Sequence, residues 1–546
     1  MKTARTLFLI FMLSIFSMEV EAQQYASQIS IFGKSTYRFS NNLTNYKVQL
    51  KGDIKVNDQD TKIISISPDG YLAIEKKTFG NTRALTIESD AKGKLSYEYY
   101  EGRKKLDFKP EGEEWLSEIL IDIVRMTGID AEARAIRIYK KGGMNAFIDE
   151  LEEISSNSVS SMYFKSLLRE EKLSEKETIT ILASISDDIS SNSERGRIFK
   201  EFRELFLATN IIAENYFLAI SKMSSNSETG SVLRSINEEI DFENEAVIAS
   251  FFRCIDGMSS NSETSRVLRY IEESQELSED AYVRLLMSVR QLSSNTEMSN
   301  VLRSLDQLNL NNTKVADAYF SAVDKMSSNT ETSSVLRHTI GQYDLSPDTW
   351  VSLFNVVGRM SSNTEMSNVL RSIKSLDLND TNVGNAYFSA IDNMSSNTSI
   401  GYVLLHSIIQ YEFNADSWVS LFRVVGKMSS NTEQAKVLVR AVPKVPFATS
   451  EVDALLSSCK QLSSNTELSR VLIEIVKSPK LDQYTCNELL KAAHNLSSNT
   501  EKSKVLQAVS KTKFIEDKEI RKTYLSLAKS LSSQSDYTKA IEVLID

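Results

Sequence analysis

One phrase, Ser-Ser-Asn followed by Thr or Ser, constrains this chain more than any other feature. Its asparagine falls at Asn157, Asn192, Asn226, Asn261, Asn295, Asn329, Asn363, Asn397, Asn431, Asn465 and Asn499, and Gln534 takes its place in a degenerate twelfth copy. Successive intervals are 35, 34 and 35 residues, then 34 seven times, then 35. A period that strict means one small unit stacked many times.

The phrase reads as a helix start. With Ser328 as N-cap, Asn329, Thr330 and Glu331 occupy the first three helical positions. Ser-x-x-Glu is then a capping box, in which the hydroxyl accepts from the third amide and the Glu reaches back to the cap amide. Ser191/Glu194, Ser225/Glu228, Ser260/Glu263, Ser294/Glu297, Ser362/Glu365, Ser430/Glu433, Ser464/Glu467 and Ser498/Glu501 repeat it. Choosing the first Ser or the Asn as cap would lose the Glu at the third position. Each cap contributes about 1 kcal/mol. The phrase is read as structural punctuation, with a functional surface built from its Asn or Thr as the alternative.

Two helices follow in each unit. After Ser294, residues Met298, Val301, Leu302, Leu305 and Leu308 form one apolar stripe, with Glu297, Asn300, Ser304 and Gln307 opposite. A polar turn at 309–312 precedes a second helix that packs through Val315, Tyr319, Ala322, Val323 and Met326. Almost no linker separates that helix from the next Ser, so successive units must stack tightly. With neighbouring helices about 8–10 Å apart, the array would run on the order of 100 Å. Tetratricopeptide repeats share the period, but their Trp-x-x-Leu-Gly-x-x-Tyr signature and closing Pro do not recur here. A second symmetry is visible: residues 292–359 and 360–427 read as a duplicated pair of units, which makes His338 equivalent to His406 and Trp350 to Trp418.

Before the repeats the period changes. Segments 48–56, 61–67, 71–78, 83–88, 95–100 and 105–108 are short, alternating and rich in β-branched or aromatic residues, with turn signals such as Pro68-Asp69-Gly70 and Gly80-Asn81 between them. That predicts an antiparallel meander. Its cover is a helix over 113–126, carrying Trp115, Leu116, Ile119, Leu120 and Ile123 in helical spacing and stopped by Gly128. A further helix from Asp130 to Tyr139 is broken at Gly142-Gly143. The expected fold class is α+β: a small antiparallel β-meander domain followed by a long right-handed α-solenoid of about 34-residue helical hairpins. The expected layout is a signal peptide at 1–22, a β module at 23–110, a helical connector at 111–153 and a solenoid of about 11 hairpins with a terminal cap helix at 154–546.

Lys2 and Arg5 precede an apolar run from Leu7 to Phe16, and Val20-Glu21-Ala22 offers a small-residue cleavage site. This has the form of a secretory signal, so the mature protein is expected to be exported, periplasmic or secreted. Nothing later reaches membrane-spanning length, and no membrane insertion is expected. Net charge is −10 and no long basic run occurs, which argues against nucleic acid as a partner. The three cysteines, Cys254, Cys459 and Cys486, are too widely spaced for a disulfide framework and read as small buried hydrophobes.

No catalytic, cofactor or metal set emerges. The histidines His338, His406 and His494 lie in no metal-binding or catalytic motif. Gly33-Lys34-Ser35 imitates the end of a phosphate loop, but Gln28 stands where the first Gly would be. The more informative constellation is a ladder of arginines. Arg234, Arg269, Arg303, Arg337 and Arg371 each fall eight residues after their motif Asn; Lys165 and Lys200 precede them in register, and Leu405, Val439 and Ile473 follow. One account is ion pairing between repeats. The other is a strip that grips a carboxylate-bearing protein or peptide. The chain is therefore read as a non-enzymatic scaffold or protein- and peptide-binding solenoid. The alternative is a carbohydrate-binding or sensory protein, or less favoured an enzyme, with its site in the β module around Tyr71, Tyr97, Tyr99 and Tyr100.

Ser67-Pro68-Asp69-Gly70-Tyr71-Leu72, the strands to Phe108, Trp115 and Thr127-Gly128-Ile129-Asp130-Ala131-Glu132-Ala133-Arg134 carry a resemblance. The chain resembles an uncharacterised bacterial extracytoplasmic family in which a similar strand module precedes HEAT-like helical repeats, sometimes behind an antibiotic-sensor-like membrane metallopeptidase. The repeats of that family often carry Ser-Asp-Tyr before a Val-Leu pair, which here occurs only at Ser535-Asp536-Tyr537. The resemblance covers about residues 45–150 well and the solenoid loosely; it implies the domain layout and no enzymatic role.

Overall fold

The computed structural model describes residues 25–544 apart from 32, 41–42 and 275–276, so the signal peptide expected at 1–22 lies outside the described residues. The chain forms two compact units, divided after Ile240.

Nine strands open the first unit: β1 (Tyr25–Ile31), β2 (Lys34–Ser40), β3 (Thr44–Lys51), β4 (Ile54–Val56), β5 (Ile63–Ile66), β6 (Tyr71–Thr78), β7 (Asn81–Ser89), β8 (Leu95–Glu101) and β9 (Lys104–Leu106). Seven of them pair in the order β1-β2-β3-β6-β7-β8-β9, and β4 pairs with β5 in a separate ribbon. The meander expected from the alternation is present and extends two strands further toward the N-terminus. The single strand expected over 48–56 is divided at Gly52, whose φ of +84° suits glycine and where an added Cβ would lie 2.1 Å from the Ser67 hydroxyl. There the chain leaves the main sheet to form the ribbon.

Cross-strand register places Val48 against Ile74, Ile74 against Leu85 and Leu85 against Tyr99, so one face of the sheet carries a continuous apolar band. The helix α1 (Glu113–Thr127) lays Trp115, Leu116, Ile119, Leu120 and Ile123 on that band and ends at Gly128 in the left-handed region. The next helix, α2 (Ala131–Glu152), is interrupted at Gly143, where φ is 70° and ψ −163°.

A buried charge network ties these parts together. Arg134, 2% exposed, donates through Nε to Asp60 at 2.7 Å and through Nη1 to Glu150 and the Tyr163 hydroxyl, both at 2.5 Å. Arg137 reaches the other Asp60 oxygen at 2.6 Å, and Arg125 grips Glu150 with two bonds of 2.9 Å. Asp130 accepts from the Lys55 ammonium at 2.9 Å and the Val56 amide at 3.1 Å. The ribbon, both helices and the first repeat are thereby fixed to one another by charge-assisted bonds.

The repeats alternate first and second helices. In the first unit the first helices are Asn157–Glu170, Asn192–Glu201 and Asn226–Ser235. In the second unit they begin at Asn261, Asn295, Asn329, Asn363, Asn397, Asn431, Asn465, Asn499 and Gln534. Within each unit, first helices pack on first helices and second on second, in two layers. The fold is thus an antiparallel sheet followed by a helical-hairpin array. One departure from the apolar pattern is local: the helix at Asn295 stops at Leu302, although Leu305 and Leu308 beyond it are still buried. Beyond its end, the Asp306 and Gln307 amides donate to buried Glu272 of the preceding repeat at 2.9 and 3.2 Å.

The duplicated units keep the same internal bonds. Tyr319 bonds Thr339 at 2.8 Å as Tyr387 bonds Ser407 at 2.6 Å, and Thr349 and Ser417 donate to Leu310 O and Leu378 O. Trp350 stacks on Phe354 and Trp418 on Phe422. All three cysteines are buried, and burial pushes each thiol up to about 12. They pack as hydrophobes.

Candidate partner-binding face

The copies that carry Ser-x-x-Glu start as that spacing requires, with one exception in the chemistry, whereas Ser156 makes no side-chain cap bond and Ser396 accepts from the Ser399 amide. The second Ser of the phrase is the N-cap throughout: Ser294 accepts from the Glu297 amide at 3.3 Å and Ser328 from the Glu331 amide at 3.4 Å. Among the described residues the return bond of the capping box does not form at Ser294 or Ser328. A complete box forms at the second helix Glu175–Asp188, between Ser174 and Glu177. In the repeats the cap amide is taken by the asparagine of the preceding repeat. Asn329 shows the arrangement: its Oδ1 accepts from the Ser361 amide at 2.9 Å and the Ser362 amide at 3.1 Å, while its Nδ2 donates to the Ser361 hydroxyl at 2.9 Å.

The same three-bond bracket joins Asn261 to Ser293 and Ser294, Asn295 to Ser327 and Ser328, and Asn363 to Ser395 and Ser396. It recurs from Asn397 and Asn465, and in the first unit from Asn192. The motif asparagine is therefore a joint between repeats. The displaced glutamates serve elsewhere: Glu263, Glu433, Glu467 and Glu501 pair with the base three residues on, Arg266, Lys436, Arg470 and Lys504.

These joints fix the register in which first helices lie side by side. Lys200 donates to the Ser231 hydroxyl at 3.2 Å, and the Arg371 guanidinium lies 5.7 Å from the centre of the Tyr402 ring. In both cases the residue eight after one motif Asn reaches the residue five after the next. Equivalent positions thus line up from helix to helix.

The arginines expected to form a ladder occupy that position. Arg234 belongs to the first unit, and Arg269, Arg303, Arg337 and Arg371 to the second. Ion pairing between repeats occurs at the start of the row, where Lys165 meets Glu201 at 3.2 Å. Among the described residues no carboxylate lies within 4.0 Å of Arg269, Arg303, Arg337 or Arg371. Arg303 folds onto its own helix instead, donating through Nε to the Ser299 carbonyl at 3.3 Å and hydroxyl at 3.2 Å and through Nη2 to Asn300 at 3.3 Å. Arg337 does the same to the Ser333 carbonyl at 3.3 Å, and its side chain is exposed. These partners are neutral, so the Arg303 and Arg337 charges are not neutralised by them and each guanidinium retains donors for an anion.

His338 sits beside Arg303 and Asp306; burial holds it below the usual histidine range, and its Nε2 finds no partner. His406 Nε2 lies 3.4 Å from the Ile373 carbonyl, and His494 is exposed. Among the described residues no group of three His, Cys, Asp or Glu side chains is arranged to hold a metal, and no helix is long and apolar enough to cross a membrane.

The four tyrosines of the β module do not share one surface. Tyr97 and Tyr99 face the helix, Tyr97 stacked on Phe108 at 4.2 Å and Tyr99 buried against Trp115, whereas Tyr71 and Tyr100 lie on the other face of the sheet. A cavity of about 320 Å³ opens between β2–β4 and the turn of Gly128 to Asp130, and one of about 310 Å³ is lined by Lys76, Phe79, Arg83, Trp115 and Glu118.

No protein-family model and no curated protein matches the chain. Among solved structures it is similar to a homology model of the full-length AP-3 complex in an intermediate open conformation, at 13% identity over 79% of this chain and 85% of that one, with a TM-score of 0.25. It is also similar to the pentatricopeptide repeat protein PPR10 in complex with an 18-nt psaJ RNA element (13% identity, 80% and 76% covered, TM-score 0.17). A third similarity is to the Chs5-Bch1 exomer cargo adaptor complex (9% identity, 92% and 84% covered, TM-score 0.15).

Proposed function

We propose that this chain is an exported, non-enzymatic scaffold that captures a protein or peptide on the exposed face of its first helices. The β module supplies a second contact, and the chain belongs with the extracytoplasmic family that its Thr127–Arg134 segment resembles. The observation that carries the reading is the set of four successive arginines in the second unit without a carboxylate partner among the described residues. An unpaired row of that kind favours a carboxylate-bearing ligand, because bidentate arginine–carboxylate bonds are among the stronger polar contacts. The test is capture from cell envelopes by the full chain and by R303A/R337A. Reproducible partners lost in the variant, at unchanged melting temperature, support the reading; identical capture by both counts against it.

A second reading places a carbohydrate or sensory ligand at the β module. The cavity beside Phe79 favours it, since that ring is 78% exposed next to Lys76, Arg83 and Glu118. Glycan binding by the full chain that disappears in F79A would favour this reading over the first.

A further inference from the structure

The row that carries the arginines changes character along its length. Continuing in the same register from Arg269, Arg303, Arg337 and Arg371, the next three repeats place Leu405, Val439 and Ile473 there, all half-buried. The change falls at Tyr402, 54% exposed under the Arg371 guanidinium, with Ile409, 56% exposed, two turns further along the same helix. One continuous strip of the second unit is therefore cationic over four repeats and apolar over the next three. Among the described residues, none of these four arginines has a carboxylate within 4.0 Å.

The interval of the strip selects the conformation of what fits it. Stacked helices lie about 8–10 Å apart. A polyproline II chain brings every third side chain back to one side after about 9.3 Å. A β-strand does so after about 6.7 Å, and drifts by roughly 2–3 Å at each repeat. An α-helix returns after two turns, about 10.8 Å, and its error accumulates over the four arginines. A polyproline II backbone also leaves its carbonyls unbonded, free to accept from the remaining donors of each guanidinium.

We infer that the partner segment is an extended, polyproline II-like stretch with a carboxylate at every third residue across four repeats, followed by an aliphatic or aromatic side chain at the same interval across the next three. This rests on the proposed capture of a protein or peptide by the first-helix face and specifies its ligand. The carboxylates pair with Arg269, Arg303, Arg337 and Arg371, and the apolar side chains cover Leu405, Val439 and Ile473.

Three labelled peptides of about twenty residues test it by fluorescence anisotropy against the full chain. All have the same proline-rich composition with four glutamates and three leucines: two carry the glutamates in one half and the leucines in the other, at intervals of three or two residues, and the third has the same residues in scrambled order. The expected result is that the interval of three binds about tenfold more tightly than the others, with an affinity that falls as salt rises. R303A/R337A should lose about tenfold and much of the salt dependence, and L405D/V439D should weaken binding without removing it. R303Q/R337Q, with circular dichroism matching the parent, guards against misfolding. Equal binding of all three peptides, lost in the arginine variant, overturns the interval and leaves the proposed function standing. No binding of any peptide, together with undiminished envelope capture by R303A/R337A, overturns both.

Discussion

Replacing Asn329 by Ala removes one joint and nothing else of the repeat start. Three hydrogen bonds disappear: two from the Ser361 and Ser362 amides to Oδ1, and one from Nδ2 to the Ser361 hydroxyl. A hydrogen bond of this kind contributes about 0.5–1.5 kcal/mol net. Ser361 is exposed, so water restores part of what its amide and hydroxyl lose, whereas the Ser362 amide is half-buried. The loss should be about 1.5–3 kcal/mol at the boundary between the repeats of Asn329 and Asn363. Asn329→Asp keeps an oxygen for both amides and adds a negative charge at a helix N-terminus, worth about 0.3–1 kcal/mol. It forfeits only the Nδ2 bond, and its net cost should stay below about 1 kcal/mol. Because a stack of repeats need not unfold in one step, hydrogen exchange is the better assay than a global melt. Amides of the Asn329 and Asn363 helices should exchange roughly tenfold or more faster in N329A and near the parent rate in N329D. Equal acceleration in both variants, or acceleration spread evenly over distant repeats, would refute the bracket as the source of the coupling.

Other expectations follow from the same geometry. Ser328→Ala should cost about 1 kcal/mol, and Ser328→Gly only a few tenths, measured by denaturant unfolding. Arg134→Ala leaves Asp60 and Glu150 facing each other's side of a buried cavity without their shared cation, and should lower stability by about 3–5 kcal/mol in thermal unfolding. Arg125 and Arg134 hold Glu150 below its ordinary value of 4.5 against the opposing effect of burial. Its contribution is therefore complete above that value and is lost as the pH falls through the lower, folded one, so R134A should flatten the acid limb of the stability profile. Burial instead pushes Glu272 above 4.5, against the two amides it accepts. A raised carboxyl contributes most below its unfolded value and loses that as pH rises through the folded one. E272Q keeps an acceptor and removes the charge, so it should melt higher than the parent near neutral pH and equally near about pH 3. Equal gains at both would show that charge is not the cause.

Much of this fold could be read from local patterns. The caps at Ser294 or Ser328, the helix that ends at Gly128 and the strands from Tyr71 onward depend on residues within a few positions of each other. The partner that completes each cap does not. Asn261 reaches Ser294 across a whole hairpin, so local capping rules supplied Glu297 for a role that a neighbouring repeat fills. The signal was the asparagine itself, which a box made of Ser and Glu leaves unexplained in copy after copy. Arg134 and Asp60 likewise meet only through the tertiary fold, 74 positions apart in the chain. The strands β1 and β2 carry a weak sequence signal because their alternation is polar, as in Lys34 to Ser40, with few β-branched residues to mark it. At the candidate face, the sequence showed where the arginines recur. That Arg269, Arg303, Arg337 and Arg371 meet no carboxylate among the described residues depends on which way each side chain lies, which residue spacing does not encode.

The bracket also bears on how such a chain can change length. Every joint presents the same amide on one side and the same pair of serines on the other, so neither half encodes which neighbour it must meet. Excising residues 292–359 would hand the Asn261 amide to Ser361 and Ser362, chemically the match of the serines it lost. An array built this way can gain or shed whole hairpins by recombination, its length set by history and by what must be spanned, with no joint needing to be rebuilt.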